Sequence, residues 1–185
     1  YLTFEWKAGK DGEHHEVKTQ LIGEYNFANA LAAVTIGHFF DVESGKIDTA
    51  LKEYTPQNNR SQLKQTADNT LIIDAYNANP TSMQASISNF HNMEIDNKML
   101  ILGDMRELGK DGPKEHQKIV DFLTECGFKD VMLVGEQFAA ARHDFPTYPD
   151  APAVIEALQK NKPHGKTILI KGSNGIKLST VIDYL

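Results

Sequence analysis

Short apolar runs alternate with helix-period segments from about residue 57 to the end of the chain. The apolar runs predict strands, at Gln62–Thr66, Leu71–Ala75, Lys98–Leu102, Asp130–Val134 and Thr167–Lys171. The intervening segments predict helices, at Thr81–Phe90, Pro113–Cys126, Glu136–Ala141, Ala151–Lys160 and Leu178–Leu185. Because helical crossovers join parallel strands, we expect residues 57–185 to form a doubly wound, Rossmann-like α/β domain with a mostly parallel sheet.

Residues 1–56 follow a different pattern, that of a hairpin followed by helices. The predicted strands are Tyr1–Trp6 and Glu16–Ile22, joined by a turn at Ala8–Gly12. The predicted helices are Phe27–Phe40, with Asn26 as its cap, and Lys46–Tyr54. Thr55–Asn59 has no periodicity and several breakers, so we place a domain boundary there. Such a short segment buries too little core alone, and Tyr1 already lies in a strand. We expect it to end a domain that begins upstream.

Composition excludes several classes of protein. The formal charge of −6 argues against a general nucleic-acid binder. The lone Cys126 excludes an intrachain disulfide framework and suits a reducing cytosol. No run approaches the ~18 apolar residues of a membrane span, and no signal segment is evident. His14 and His15 lack further ligands at metal spacing, so we expect no metal site in this chain. The lone cysteine and the missing signal segment lead us to expect a cytoplasmic protein.

Asp74 is predicted to lie where a buried strand ends and a helix begins. Asn79 suits the cap of that helix, and Pro80 suits its first turn. Polar ligands of open α/β sheets bind at this end of the strands. A carboxylate there suits a ribose hydroxyl, and helix amides suit phosphate. The alternative is an ordinary turn, since Asp and Asn are common turn residues.

Two more predicted strands end in polar loops. Asp104, between Gly103 and Gly109, marks either a substrate-contacting loop or a solvated turn. Lys171-Gly172-Ser173 is suited to bind a carboxylate or phosphate group. The alternative is an ordinary glycine-rich connection. His116, in the next helix, is expected to pack or hydrogen-bond rather than catalyse.

The remaining motifs concern the nucleotide. Asn26 and Asn29 stand three apart at a helix start, where two amides suit an adenine edge; simple capping is the alternative. Gly165-Lys166-Thr167 precedes a strand rather than a helix, so it is not a phosphate loop, and no G-x-G-x-x-G fingerprint is present.

Together these segments resemble the Mur ligases of bacterial peptidoglycan synthesis. Gly23–Ala33 is similar to the family pattern G-x-x-N-x-x-N-x-L-A-A. Asp74–Met83 and Leu102–Gly109, followed by His116, are similar to the corresponding segments of members that add D-alanyl-D-alanine. The resemblance runs from the end of a central ATP-binding domain through the C-terminal domain. One departure is Asn174, where relatives commonly have an arginine after Lys-Gly-Ser.

The resemblance implies a division of labour among named residues. Asn26 and Asn29 would contact adenine, Arg60 the phosphates and Asp74 the ribose. The candidate substrate-binding residues are Tyr76, Asn77, Asn79, Asp104 and Ser173. No catalytic residue is assigned.

The resemblance also implies the chemistry. ATP would phosphorylate the carboxylate of UDP-N-acetylmuramoyl-tripeptide, and D-alanyl-D-alanine would attack the acyl phosphate. The phosphate loop and most Mg²⁺ ligands would lie upstream of Tyr1, so residues 1–185 alone are expected to be inactive, and the protein is expected to be monomeric. Two alternatives stay open: a ligase like folylpolyglutamate synthase, and a receiver-like phosphoacceptor module built on Asp74, Asp104 and Lys171.

Overall fold

The computed structural model describes residues 1–10, 12–57 and 59–185. These residues form two compact units, Tyr1–Gln57 and Asn58–Leu185. Asp11 of the predicted turn and Asn58 of the predicted boundary lie outside the described residues. No helix in the described ranges has the length and apolar character needed to cross a bilayer.

The first unit is a hairpin with two helices packed on it. Its elements are β1 (Thr3–Trp6), β2 (His15–Lys18), a 3-10 turn at Glu24–Asn26, α1 (Phe27–Phe39) and α2 (Ser44–Glu53). β1 and β2 pair antiparallel, as predicted, with Phe4 opposite Val17. Alternation along β1 buries Phe4 and Trp6, and they pack with Val34 of α1 and Ile47 of α2. This burial explains why the helices dock on the hairpin.

The predicted capping role of Asn26 is wrong. The 3-10 turn runs directly into α1, so Asn26 has helical backbone angles (φ −79°, ψ −7°) and its side chain makes no capping hydrogen bond. A side chain caps best from an extended backbone, and that geometry is absent at this position.

The second unit is a six-stranded sheet with helices between the strands. Its elements are β3 (Gln62–Gln65), β4 (Thr70–Asp74), α3 (Pro80–Asn92), β5 (Lys98–Gly103), α4 (Gly112–Glu125), β6 (Val131–Val134), α5 (Glu136–Ala140), β7 (Thr147–Tyr148), α6 (Ala151–Lys160) and β8 (Thr167–Lys171). The strand order is β3-β4-β8-β5-β6-β7. Among the described strand pairs of this sheet, β3–β4 is antiparallel and the others are parallel. The predicted α/β class with a mostly parallel sheet is confirmed.

Side chains alternate between two buried faces of this sheet. On one face, Ile73, Ile101 and Ile170 pack with α6 and the C-terminal helix. The neighbouring residues Ile72, Leu102 and Leu169 are buried on the opposite face, where α3 and α4 contact each other. Strands covered on both faces read as continuous apolar runs, which is why the sequence located them.

Two elements differ from the sequence prediction. β7 is missed because it has only two residues, between Pro146 and Pro149, and such a segment shows no period. The last predicted α-helix is a 3-10 helix, Leu178–Tyr184, entered through Lys177 in the left-handed conformation (φ 59°). Its buried residues Leu178 and Val181 are three apart, which suits three residues per turn.

The position of β8 determines what meets at the carboxyl edge of the sheet. The last strand inserts between β4 and β5, so Asp74 pairs in register with Lys171, and Lys171 with Leu102. Ligands of open α/β sheets bind where the strand order reverses in this way.

Candidate functional site

Asp74 and Lys171 form an ion pair at this edge. The Lys171 ammonium, 1% exposed, lies 2.6 Å from Asp74 Oδ2 and 3.3 Å from the carbonyl oxygen of Asn77. The Ser86 hydroxyl donates to the same Oδ2 at 3.2 Å. The carboxylate that Lys171 binds in this structure is therefore that of Asp74; binding of a further carboxylate or phosphate by the Lys171 segment stays a prediction. No hydrogen bond from the described residues reaches Asp74 Oδ1, which leaves that oxygen for a ligand hydroxyl.

Arg60 and Tyr76 lie together beside this loop. The Arg60 guanidinium carbon is 3.8 Å from the centroid of the Tyr76 ring, and the ring is 48% exposed. A cation over an aromatic face is attracted by the ring quadrupole, so Tyr76 holds the guanidinium without neutralising it. Two predicted site residues are thus brought together, and Arg60 keeps its donors for an anion.

The rest of the Asp74 loop is ordered by its own amide side chains. Asn77 Oδ1 accepts from the backbone N–H of Ala78 at 2.9 Å. Asn79 Oδ1 accepts from Ser82 N–H at 2.8 Å, and Asn79 N–H donates to the Ser82 hydroxyl at 3.1 Å. The predicted cap at Asn79 is confirmed as a reciprocal capping box. Contact of Asn77 or Asn79 with substrate stays a prediction.

Ser173 joins the Asp74 loop to the Asp104 loop. Its side chain is 5% exposed, and its hydroxyl accepts from Arg106 N–H at 2.9 Å and points to the Ala78 carbonyl at 3.5 Å. Its own N–H donates to the carbonyl of Asp104 at 3.2 Å. Ser173 therefore fixes the loops after β4, β8 and β5 relative to one another. Its predicted contact with the dipeptide stays untested.

Asp104 is buried and caps a helix. The residue is 6% exposed, and its carboxylate oxygens accept from Gln137 N–H and Phe138 N–H, each at 2.9 Å, at the start of α5. Gly135 approaches so closely (φ 120°) that an added Cβ would lie 2.2 Å from Asp104 Oδ2. The carboxylate stabilises the helix N-terminus. The loop that follows it, rather than the carboxylate itself, presents the exposed polar groups.

His116 holds the start of that loop. Its Nε2 accepts from Met105 N–H at 3.0 Å, and its Nδ1 lies 2.7 Å from the Gly112 carbonyl, to which it donates. This pattern requires a neutral ring, so the 3.5 Å approach of Nε2 to Asp104 Oδ1 is not an ion pair. The predicted hydrogen-bonding role of His116 is confirmed.

A cavity of about 670 Å³ opens beside these groups. The loop from Asp104 to Gly109 lines one side, and Gly135–Gln137 with Pro149 line another. Its volume falls within the range of small-molecule sites. Sequence reasoning located the loop but missed Arg106, whose guanidinium lies on Gly175, next to Asn174. The sequence contained one signal for Arg106. Asn174 stands where relatives commonly have an arginine, so a cation for this position had to come from another residue.

Asn26 and Asn29 interact within the first unit. Asn26 is buried and its Nδ2 donates to the Ile22 carbonyl at 2.8 Å. Asn29 is exposed and its Nδ2 donates to Asn26 Oδ1 at 3.1 Å. Asn26 therefore anchors Asn29, and Asn29 is the amide that faces outward from this unit.

Comparison with known proteins gives a family. Residues 59–174 match the domain described as Mur ligase, glutamate ligase domain. The UDP-N-acetylmuramoyl-tripeptide–D-alanyl-D-alanine ligase of Bacillus subtilis (strain 168) is 29% identical over 191 residues, covering 94% of this chain and 42% of that protein. This chain thus spans less than half the length of the curated relative.

Solved structures agree on the fold. A crystal structure of MurF from Acinetobacter baumannii has a TM-score of 0.84 and 26% identity, covering 98% of this chain and 41% of that one. Mycobacterium tuberculosis folylpolyglutamate synthase complexed with ADP and AMPPCP has a TM-score of 0.61 at 18% identity, covering 94% of this chain and 43% of that one. Since the family domain matches more than half of the sequence, the chain belongs to the Mur ligase family.

Proposed function

We propose that this chain is the C-terminal part of an ATP-dependent ligase that joins D-alanyl-D-alanine to UDP-N-acetylmuramoyl-tripeptide in peptidoglycan precursor synthesis. The observation that carries the proposal is the arrangement around Ser173. This residue ties the loop that bears the open carboxylate oxygen of Asp74 and the Tyr76 ring that holds Arg60 to a loop that lines a substrate-sized cavity. Such an edge suits a nucleotide on one side and an amine acceptor on the other. The names of the similar proteins supply the substrates.

The nucleotide roles follow from exposure and charge. Asp74 Oδ1 accepts a ribose hydroxyl, because Lys171 and Ser86 occupy only Oδ2. Arg60 binds phosphate through the donors that Tyr76 leaves available. Asn29 offers donor and acceptor to adenine from the first unit, with Asn26 holding it in place. We assign the end of the central ATP-binding domain to residues 1–56 and the ligase domain to residues 57–185.

The described residues do not fit a Mg²⁺ site. None of them forms a group of three or more His, Cys, Asp or Glu side chains that could hold a metal ion. Phosphoryl transfer needs such charge neutralisation. We propose that the metal ligands and the phosphate loop belong to the part of the protein that precedes this chain, and that residues 1–185 alone have no activity.

The proposed reaction has two steps. The γ-phosphoryl group of ATP passes to the tripeptide carboxylate, giving ADP and an acyl phosphate. The dipeptide amine attacks the acyl carbon, the C–O bond to phosphate breaks with its electron pair, and the nitrogen loses a proton. Positioning of the reactants supplies most of the acceleration in chemistry of this kind. We propose that the protein does this as a cytoplasmic monomer with these small molecules as its partners.

The alternatives have weaker support. The folylpolyglutamate synthase shares the fold at a lower TM-score than MurF, 0.61 against 0.84. A phosphoacceptor module needs an accessible carboxylate, whereas Asp104 is buried, with 6% of the residue exposed, and its carboxylate accepts from two backbone N–H groups.

A phosphate-release assay on the full-length protein tests the proposal. We expect release from ATP to require both the muramoyl tripeptide and D-alanyl-D-alanine, with a ligated product detected by mass. Tetrahydrofolate with glutamate is the control substrate pair, and residues 1–185 alone are the control protein. Turnover with the folate pair but not the muramoyl pair would overturn the substrate assignment.

A further inference from the structure

The cavity beside Ser173 carries charges of both signs. Arg106 is the cation among its lining residues, and Glu107 and Glu136 are exposed carboxylates. In the described residues, neither an ion pair nor a side-chain hydrogen bond occupies the Arg106 guanidinium. A guanidinium left unpaired in a concave site is suited to bidentate binding of a carboxylate.

The position of Arg106 is fixed from two directions. Its backbone N–H donates to Ser173 Oγ at 2.9 Å, which anchors the main chain. Its guanidinium lies on Gly175, where an added Cβ would be 2.5 Å from Nη1 and 2.7 Å from Cζ. The space above Gly175 therefore exists because that residue has no side chain. The guanidinium therefore lies against the main chain of Gly175 at the cavity, while the residue itself is exposed.

The sheet sets the distances along this edge. Asp74 ends β4, whereas the cavity lies beyond the ends of β5 and β6, two to three strands away. With strands about 4.8 Å apart, the nucleotide-side carboxylate and the cavity are separated by roughly 10 to 14 Å. An extended dipeptide spans about 7 Å. An acceptor anchored at the cavity by its carboxylate is therefore long enough to place its amine about half of the way toward the nucleotide side.

We propose that Arg106 binds the C-terminal carboxylate of the acceptor dipeptide and makes the site selective for acceptors with one free carboxylate. The inference rests on the proposed ligase function and names the residue that recognises its amine substrate. Glu107 and Glu136 oppose a second carboxylate in the same cavity, which disfavours acidic acceptors such as glutamate. Arg106 thus supplies the cation that position 174 lacks.

Steady-state kinetics of the full-length protein test this assignment. Arg106→Gln should raise the KM for D-alanyl-D-alanine by about 10- to 100-fold, the scale of a lost charge-assisted pair. Its KM for the dipeptide amide, which has no carboxylate, should stay within about threefold of wild type, as should the KM for ATP. Arg106→Lys, which keeps the charge without the fork, should fall between. Arg142→Gln is the matched control, because Arg142 is exposed and lies outside the cavity lining.

The outcomes separate two failures. If the wild type is active with the dipeptide and Arg106→Gln leaves the KM for the dipeptide unchanged, the assignment of Arg106 is overturned while the ligase function stands. An equal rise in the KM for the dipeptide and for its amide overturns that assignment as well. If the wild type releases no phosphate with the dipeptide, the proposed function itself fails. A selective loss on the carboxylate-bearing acceptor supports both.

Discussion

Removing the buried cation beside Asp74 should strongly destabilise the second unit. Lys171→Met keeps the length and apolar stem of the side chain but leaves the Asp74 carboxylate, 15% exposed, with only the Ser86 hydroxyl as donor. Breaking a buried pair costs about 3 to 5 kcal/mol. The residual exposure of Asp74 admits water, so we expect about 3 kcal/mol. The reverse change, Asp74→Asn, removes the full negative charge paired with a lysine side chain that is 1% exposed, leaving carbonyl oxygens such as that of Asn77 as its partners, and should cost about 3 to 5 kcal/mol.

The chain contains its own matched control for this prediction. Lys166 pairs with Asp130 at 2.8 Å, a distance close to that of the buried pair, but the side chains are 30% and 43% exposed. Exposed pairs contribute about 0 to 1 kcal/mol. Lys166→Met should therefore cost at most about 1 kcal/mol. Burial, rather than the presence of an ion pair, accounts for the difference.

Urea unfolding followed by far-UV circular dichroism measures these costs. For a slope of about 2 kcal/mol per M, Lys171→Met should lower the midpoint by roughly 1.5 M and Lys166→Met by less than about 0.5 M. The single tryptophan, Trp6, lies in the first unit, so its fluorescence reports on that unit alongside the far-UV signal. Equal midpoint shifts for the two variants would show that burial does not determine the cost of breaking these ion pairs.

Three further substitutions have defined outcomes. Asn79→Ala removes the capping box of α3 and should cost about 1 kcal/mol in the same unfolding assay. Gly135→Ala adds a Cβ that collides with the Asp104 carboxylate, and φ 120° with ψ 168° is a backbone conformation that essentially only glycine adopts, so the change should cost about 1 to 3 kcal/mol or more. Hydrogen bonds from Lys162, and to a lesser extent His164, hold the pKa of Asp68 below its ordinary value of 3.8. A lowered pKa stabilises the fold above that value, so Asp68→Asn should lower the thermal midpoint at pH 6, and its difference from wild type should shrink as the pH falls below 3.8.

Local features of the sequence were sufficient to predict most of the fold. Apolar runs such as Leu71-Ile72-Ile73 are buried on both faces, and Asn79-Pro80 marks a helix start, so β4 and α3 lie within a few residues of their predicted positions. These signals depend on neighbours in sequence. β7 and the 3-10 form of the last helix depend on tertiary contacts, and periodicity does not reveal them.

The side-chain partners in the site depend on contacts distant in sequence. Lys171 finds Asp74, 97 residues earlier, only because β8 inserts beside β4, and strand order is not readable from periodicity. Asp104 meets backbone amides 33 and 34 residues later. One signal was available: Lys171 ends the apolar run Ile168-Leu169-Ile170, and a lysine that is buried needs a carboxylate at the same edge. Asp74 and Asp104 were both predicted at that edge, and the strand order decides between them.

The most direct test of the proposed nucleotide site is a structure of the full-length protein with a non-hydrolysable ATP analogue. We predict Asp74 Oδ1 at hydrogen-bond distance, about 2.7 Å, from a ribose hydroxyl, with the Lys171 ion pair intact. We also predict the Arg60 guanidinium at the phosphates and the Asn29 amide at adenine. A complex in which the nucleotide is bound but these side chains are distant from it would show that Asp74, Arg60 and Asn29 do not form the nucleotide site.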